Sequence, residues 1–244
     1  MPRSLHAKKP HRRRRRRSRG QLVPRRAASS APKSYPTCNL PESDAEALYI
    51  LNAIYPNRYV WDDADITVAV QAAPNVDPAY VDAARDAIEA WAEVIEACFD
   101  GLITLTDVTS DATAQQPADI VLHYVPYAGG SVFAGYAICS AKGCPNILVR
   151  SEFSTGVGIE DYTAEYLFYV TLHELGHALG LGHATNLRES TDLMGYGWIG
   201  DAPDPLFSRC DLEAFAYVWA WALDGNSSSG PGPSDLALTY DCSA

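Results

Sequence analysis

Apolar residues recur at every second position in "DITVAV", residues 65 to 70, where Ile66, Val68 and Val70 share one face as in a strand with one side buried. The period then changes. Val81, Ala84, Ile88, Trp91 and Ile95 return every three to four residues, the stripe of an amphipathic helix. Asp77 followed by Pro78 supplies an N-cap and a proline at the first helical position, and Asp100-Gly101 marks the expected end. Four more strand-like runs follow, "LITLTDV" (102–108), "ADIVLHYV" (118–125), "SVFAGYAIC" (131–139) and "NILVRSEF" (146–153), separated by Gly, Pro and Asn turns. Upstream, "ESDAEALYILNAIY" reads as a short helical stretch. A second helix is expected from about Tyr162, and a third from Ser208, where Ser208 and Asp211 form a capping-box pattern ahead of "LEAFAYVWAWAL". This order predicts an α+β fold, a mixed five-stranded twisted sheet with two long helices and a C-terminal helix.

Both ends depart from this patterning. Residues 1–36 are rich in Arg, Pro, Ser and Ala and carry too little apolar surface to fold, so a disordered leader is expected there. "GNSSSGPGPS" opens a flexible linker over 225–244, whose last residues include Cys242, a sign that the tail is tied back. The folded domain is therefore expected over 37–224.

Charge sharpens the division. The chain has 244 residues and a net charge of −11, yet 13 of its 19 Lys and Arg lie in residues 1–33, leaving 6 against 30 acids in the remainder. An acidic body repels nucleic acid and anionic membranes, which excludes specific nucleic-acid binding by the body. For the Arg-rich leader four readings stay open: a polyanion-binding arm, a tether to the acidic body, a processed segment ending near Arg25-Arg26, and a misplaced translation start. No apolar run approaches the roughly 18 residues of a membrane span, and the leader lacks the apolar stretch of an export signal. Six cysteines without a CxxC pair read as three disulfides and an oxidising compartment, so secretion is inferred from cysteines alone. Cys139 and Cys144, flanking "SAKG", are placed to close a hairpin loop, whereas pairing among Cys38, Cys98, Cys210 and Cys242 is open.

Three of the six histidines fall in "HELGHALGLGH", residues 173 to 183. On a helix, His173 and His177 lie one turn apart on one face, within reach of one ion. Gly180 stands where the helix must end with positive φ, and His183 then returns as the third ligand. Three neutral imidazoles and an open fourth corner describe a catalytic zinc ion, which acidifies a bound water, with Glu174 beside the first ligand as general base. His123, the remaining histidine of the body, reads as a plain strand residue.

HExxHxxGxxH followed by a methionine turn, here "STDLMGYG" (190–197) with Met194, resembles the metzincin metalloproteases. The order of elements over roughly 58–224 is similar to the matrixin-like catalytic domain, with Trp61 and "DITVAV" like its first strand. The resemblance implies a zincin-like fold and a methionine packed beneath the zinc ligands. It also implies an edge strand that aligns a peptide by β-augmentation, for which "VFAGYAIC" (132–139) is the candidate. Tyr196, two residues beyond Met194, resembles the tyrosine that stabilises the oxyanion in astacins and serralysins; a packing role for it stays equally open. "YPTCNLPE" (35–42) is similar to a matrixin cysteine switch, but Thr37 and Asn39 replace its arginine and glycine, and a disulfide for Cys38 is favoured. Too few histidines remain for a second, structural zinc. Calcium is compatible with the family, though no EF-hand or comparable loop supports it.

These readings converge on a secreted zinc-dependent endopeptidase that hydrolyses internal peptide bonds of a protein or peptide substrate. The alternatives are a zinc-bearing binding or adhesion protein without proteolytic activity, against which Glu174 argues, and a zinc amidohydrolase of non-peptide substrates. Cleavage preference and oligomeric state are not written in the sequence.

Overall fold

The computed structural model describes residues 48–51, 61–110, 117–127, 133–140, 143–184, 192–195, 206–223 and 239–241. They all fall within Pro32–Ala244. The leader, Cys38, Tyr196 and Cys242 lie outside the described residues.

In chain order the elements are β1 (Leu48–Leu51), β2 (Asp65–Ala72), α1 (Pro78–Phe99), β3 (Thr104–Asp107), β4 (Ile120–Val125), β5 (Gly135–Ser140), β6 (Gly143–Arg150), β7 (Glu152–Ser154), β8 (Ile159–Asp161), α2 (Ala164–Ala178), β9 (Leu181–Ala184), α3 (Arg209–Val218), α4 (Ala220–Leu223) and β10 (Thr239–Asp241). The main sheet has five strands, as the periodicity predicts, and their order is β3-β2-β4-β6-β5. Its first four strands pair in parallel, and β5 alone runs antiparallel, against β6, at one edge. That is the mixed sheet of an α+β fold.

α1 begins where the sequence places it. The Asp77 carboxylate accepts a hydrogen bond from the Ala79 N–H, and Asp100 closes the helix at φ 51°. Its apolar stripe meets both the sheet and α2. Ala84 and Ala87 bring the backbone close, while Ile88, Trp91 and Ile95 are almost fully buried. Trp91 sits at the centre, its ring 4.7 Å from Phe207 edge-on and 5.8 Å from Phe215. Burying one such aliphatic side chain is worth about 1.5–3 kcal/mol, so this seam is a principal source of stability.

Two expectations change. Leu48–Leu51, expected to be helical, form a strand that pairs antiparallel with β9 and β10. A four-residue apolar run fits either element, and partners distant in sequence decide it. The strand expected from Leu102 starts at Thr104, because Leu102 still belongs to the turn that closes α1 and donates to the Phe99 carbonyl. The short strands β8 and β9 carry no periodic signal of their own.

The Cys139–Cys144 disulfide joins β5 to β6, and Cys98 and Cys210 are also disulfide-bonded. No described helix is long and apolar enough to cross a membrane.

Replacing Asp77 with Ala removes the cap of α1 and is expected to lower unfolding stability by about 1 kcal/mol. Urea titration checks this, and unchanged zinc binding should accompany the loss.

Candidate metal centre

Thr163 caps α2 by accepting from the Tyr166 N–H, and the helix carries His173 and His177 to its buried face one turn apart. The helix then stops. Leu179 N–H still reaches the Leu175 carbonyl, Gly180 donates to His177, and at φ +105° Gly180 turns the chain into β9, which holds His183. Pairing of β1 with β9, Tyr49 opposite Ala184 and Leu51 opposite Leu181, fixes that return from one side. From the other, the Ala184 N–H donates to Met194 at 2.9 Å.

Each helical imidazole is oriented by its inner nitrogen. His173 Nδ1–H donates to the Leu193 carbonyl at 2.8 Å, and His177 Nδ1–H to Leu181 at 2.9 Å. Both Nε2 atoms are thereby left as unprotonated lone pairs, the form that binds metal. His183 Nε2 lies 3.3 Å from His173 Nε2 and 3.2 Å from His177 Nε2. Two nitrogens each 2.0–2.1 Å from an ion at tetrahedral angles stand about 3.4 Å apart, so the separations match a zinc corner. Converging lone pairs repel, and only a cation between them gives this arrangement a physical reason. Among the described residues no other three His, Cys, Asp or Glu side chains gather in this way.

Burial keeps the imidazoles neutral. It depresses His173 to about 4, brings His183 to about 4 with help from the neighbouring His173, and drives His177 well below its ordinary value. Glu174 moves the other way, pushed up to about 8 by burial and opposed by a hydrogen bond from the Ala137 backbone. Its Oε2 is buried without a hydrogen-bond partner among the described residues. An orphaned, buried carboxylate oxygen on the residue next to the first imidazole can take up a proton or a water.

Met194 lies under the helix, fully buried. A Cβ at Gly176 would fall onto its sulfur, so the thioether reaches the helix only because residue 176 has no side chain. The methionine turn is held from behind by Asp211, whose Oδ2 accepts from Leu193 N–H at 3.0 Å and Ser208 N–H at 2.8 Å while Oδ1 accepts from Met194 N–H at 3.4 Å. The residue that caps α3 therefore also places the carbonyl that orients His173, a role its spacing from Ser208 does not disclose. Asp192, buried beside it, accepts from the Ser208 hydroxyl. Gly135 of the edge strand is equally constrained, since a Cβ there would stand 2.7 Å from Val170 Cγ1 and 2.8 Å from Glu174 Cγ. The edge strand and the candidate base are thus in direct contact. His123 bonds Asn146 at 2.9 Å in the sheet and is not part of the three-histidine group.

With this geometry in place, comparison with known proteins is specific. The matrixin family model, a peptidase family, matches residues 60–196. The chain belongs to the matrixin family. Interstitial collagenase from Bos taurus is 24% identical over 225 residues, covering 84% of this chain and 42% of that protein. The Oryctolagus cuniculus collagenase is 24% identical over 226 residues with the same coverage. The chain therefore spans less than half the length of the curated relatives it matches. Among solved structures, high choriolytic enzyme 1, a hatching-enzyme zinc-protease from the medaka Oryzias latipes, aligns at 15% identity over 53% of this chain and 52% of that one, with a TM-score of 0.31. At that score the likeness carries no structural argument. Membership makes the domain a zinc metallopeptidase domain, and the three-histidine group is able to hold its ion.

Two outcomes follow from this packing. Replacing Gly176 with Ala forces the enclosed thioether aside, with an expected stability loss of about 1–3 kcal/mol and weakened zinc binding, read by thermal melts and metal competition. The titrations oppose each other in the metal-free chain. Depressed imidazoles cost stability as pH falls from about 6.5 towards 4, because only the unfolded state takes up those protons. A raised Glu174 contributes stability that is complete below about 4.5 and is lost as pH rises through about 8. Melting temperature of the chelated protein should therefore peak near pH 6.5, and Glu174→Gln should abolish the decline above that point while leaving the acid limb.

Proposed function

We propose that this chain is a secreted zinc endopeptidase that cleaves internal bonds of proteins, with His173, His177 and His183 as its metal ligands and Glu174 as its general base. One observation carries the reading. Three neutral imidazole nitrogens meet at zinc-ligand spacing, and the carboxylate of Glu174, next in sequence to the first of them, keeps one buried oxygen without a partner among the described residues.

A zinc ion bound there supplies Lewis-acid polarisation of a carbonyl and acidification of water. The chain's own residues do the rest. Glu174 Oε2 takes the proton of the attacking water and delivers it to the departing amine nitrogen. Leu193 and Leu181 hold the imidazoles as neutral Nε2 ligands throughout. Burial of the site excludes bulk water, which strengthens the electrostatics around the reacting carbonyl. Tyr196 is assigned to the oxyanion, on its place two residues after Met194.

Substrate enters this reading through β5. It is the sheet's edge, it runs antiparallel to β6, and its Gly135 touches the candidate base, so a peptide adding as a further strand brings its backbone to the metal. The disulfides are compatible with secretion, which rests otherwise on the family and the cysteine count.

Glu174→Gln is the decisive variant. It keeps size and metal ligands but cannot accept the proton, so one zinc per chain with at least a hundredfold loss of casein or peptide cleavage is expected. Full proteolysis by that variant overturns the mechanism. Wild-type protein that holds zinc yet cleaves no protein, with or without chelator, indicates a binding protein instead.

A further inference from the structure

The metal helix is gripped by three tryptophans that the reaction itself does not use. Trp91 Nε1–H donates to the Leu172 carbonyl at 2.9 Å, Trp61 Nε1–H to Ala178 at 2.8 Å, and Trp219 Nε1–H to Leu179 at 3.0 Å. These contacts span 81, 117 and 40 residues of sequence and come from α1, from the segment before β2 and from the C-terminus of α3. They bracket the ligands. Leu172 immediately precedes His173, while Ala178 and Leu179 immediately follow His177.

Helix ends leave carbonyls without partners, and buried ones must find a donor or lose free energy. Ala178 and Leu179 lie past the last carbonyls that helical N–H groups can satisfy, and both are fully buried where water cannot substitute. The indoles supply those donors. Their consequence reaches the metal because the next residues are Gly180, which turns the chain, and Leu181, whose carbonyl orients His177. Holding the carbonyls of 178 and 179 fixes the peptide planes leading into that turn. Neighbouring glycines make room for two of the grips. A Cβ at Gly143 would stand 3.1 Å from the Trp61 ring, and one at Gly176 would stand 3.4 Å from Trp91.

Resting on the three-histidine reading of the site, we propose that Trp61, Trp91 and Trp219 are positioning residues that hold the metal helix and its terminal turn in the zinc-binding geometry through their indole N–H groups. A fourth tryptophan provides an internal control. Trp221 is equally buried and its ring lies 5.9 Å from that of Trp219, but its Nε1 has no hydrogen-bond partner among the described residues.

The test replaces each of the four tryptophans in turn with Phe in the full chain, measuring zinc dissociation by chelator competition, the visible spectrum of the cobalt-substituted protein, and melting temperature. Zinc binding about tenfold weaker, with an altered cobalt spectrum, is expected for Trp61→Phe, Trp91→Phe and Trp219→Phe, in the range seen when groups supporting metal ligands are removed. Trp221→Phe should lose melting temperature alone. Any grip whose Phe variant does not fold is replaced with benzothienylalanine, which keeps both rings and exchanges N–H for sulfur. If the three variants bind zinc and colour cobalt like the wild type while melting lower, or if Trp221→Phe weakens zinc as much as they do, the tryptophans serve only packing and the proposal fails. Wild-type protein that does not bind zinc refutes the site reading itself, a separate outcome.

Discussion

Everything at this site depends on three imidazole lone pairs being held face to face. Such an arrangement is electrostatically unfavourable without a cation, so the surrounding structure has to enforce it. Enforcement works at two removes. Carbonyls of Leu193 and Leu181 bind the Nδ1 protons and so determine which nitrogen faces the centre. Those carbonyls are in turn placed by the methionine turn and by the glycine turn at the end of α2. Behind the first stands the Asp211 carboxylate. Behind the second stand the indoles of Trp61 and Trp219.

The sheet serves the same constraint from the opposite side. α2 lies against β5 and β6, and the absence of a side chain at Gly135 lets the edge strand reach Glu174. The edge strand and the Glu174 carboxylate are thus one packed unit.

Much of this was legible in the residues. Five strands, the long α1, the capping pairs at Asp77 and Ser208 and the break at Gly180 all follow from periodicity and local chemistry, because each depends on neighbours within a few residues. The three-histidine set was legible for a related reason, since helix pitch converts a spacing of four into one face. β1 was not, because four apolar residues take whichever element offers them partners, and here the partners lie over a hundred residues away. Asp211 was read as a cap and no more, for its second role requires the methionine turn to fold against it.

By itself, then, the chain specified which three imidazoles come together, through spacing, and which segments are helices and strands, through period. Only the tertiary structure decided how those side chains are held: which carbonyl each imidazole addresses, which glycine admits Met194, and which two indoles close the end of the metal helix. The physical reason is range. Hydrogen-bond periodicity acts over one or two turns and leaves its mark in sequence, whereas a buried carbonyl accepts any donor the fold delivers, and nothing in the intervening 40 to 117 residues announces which one that will be.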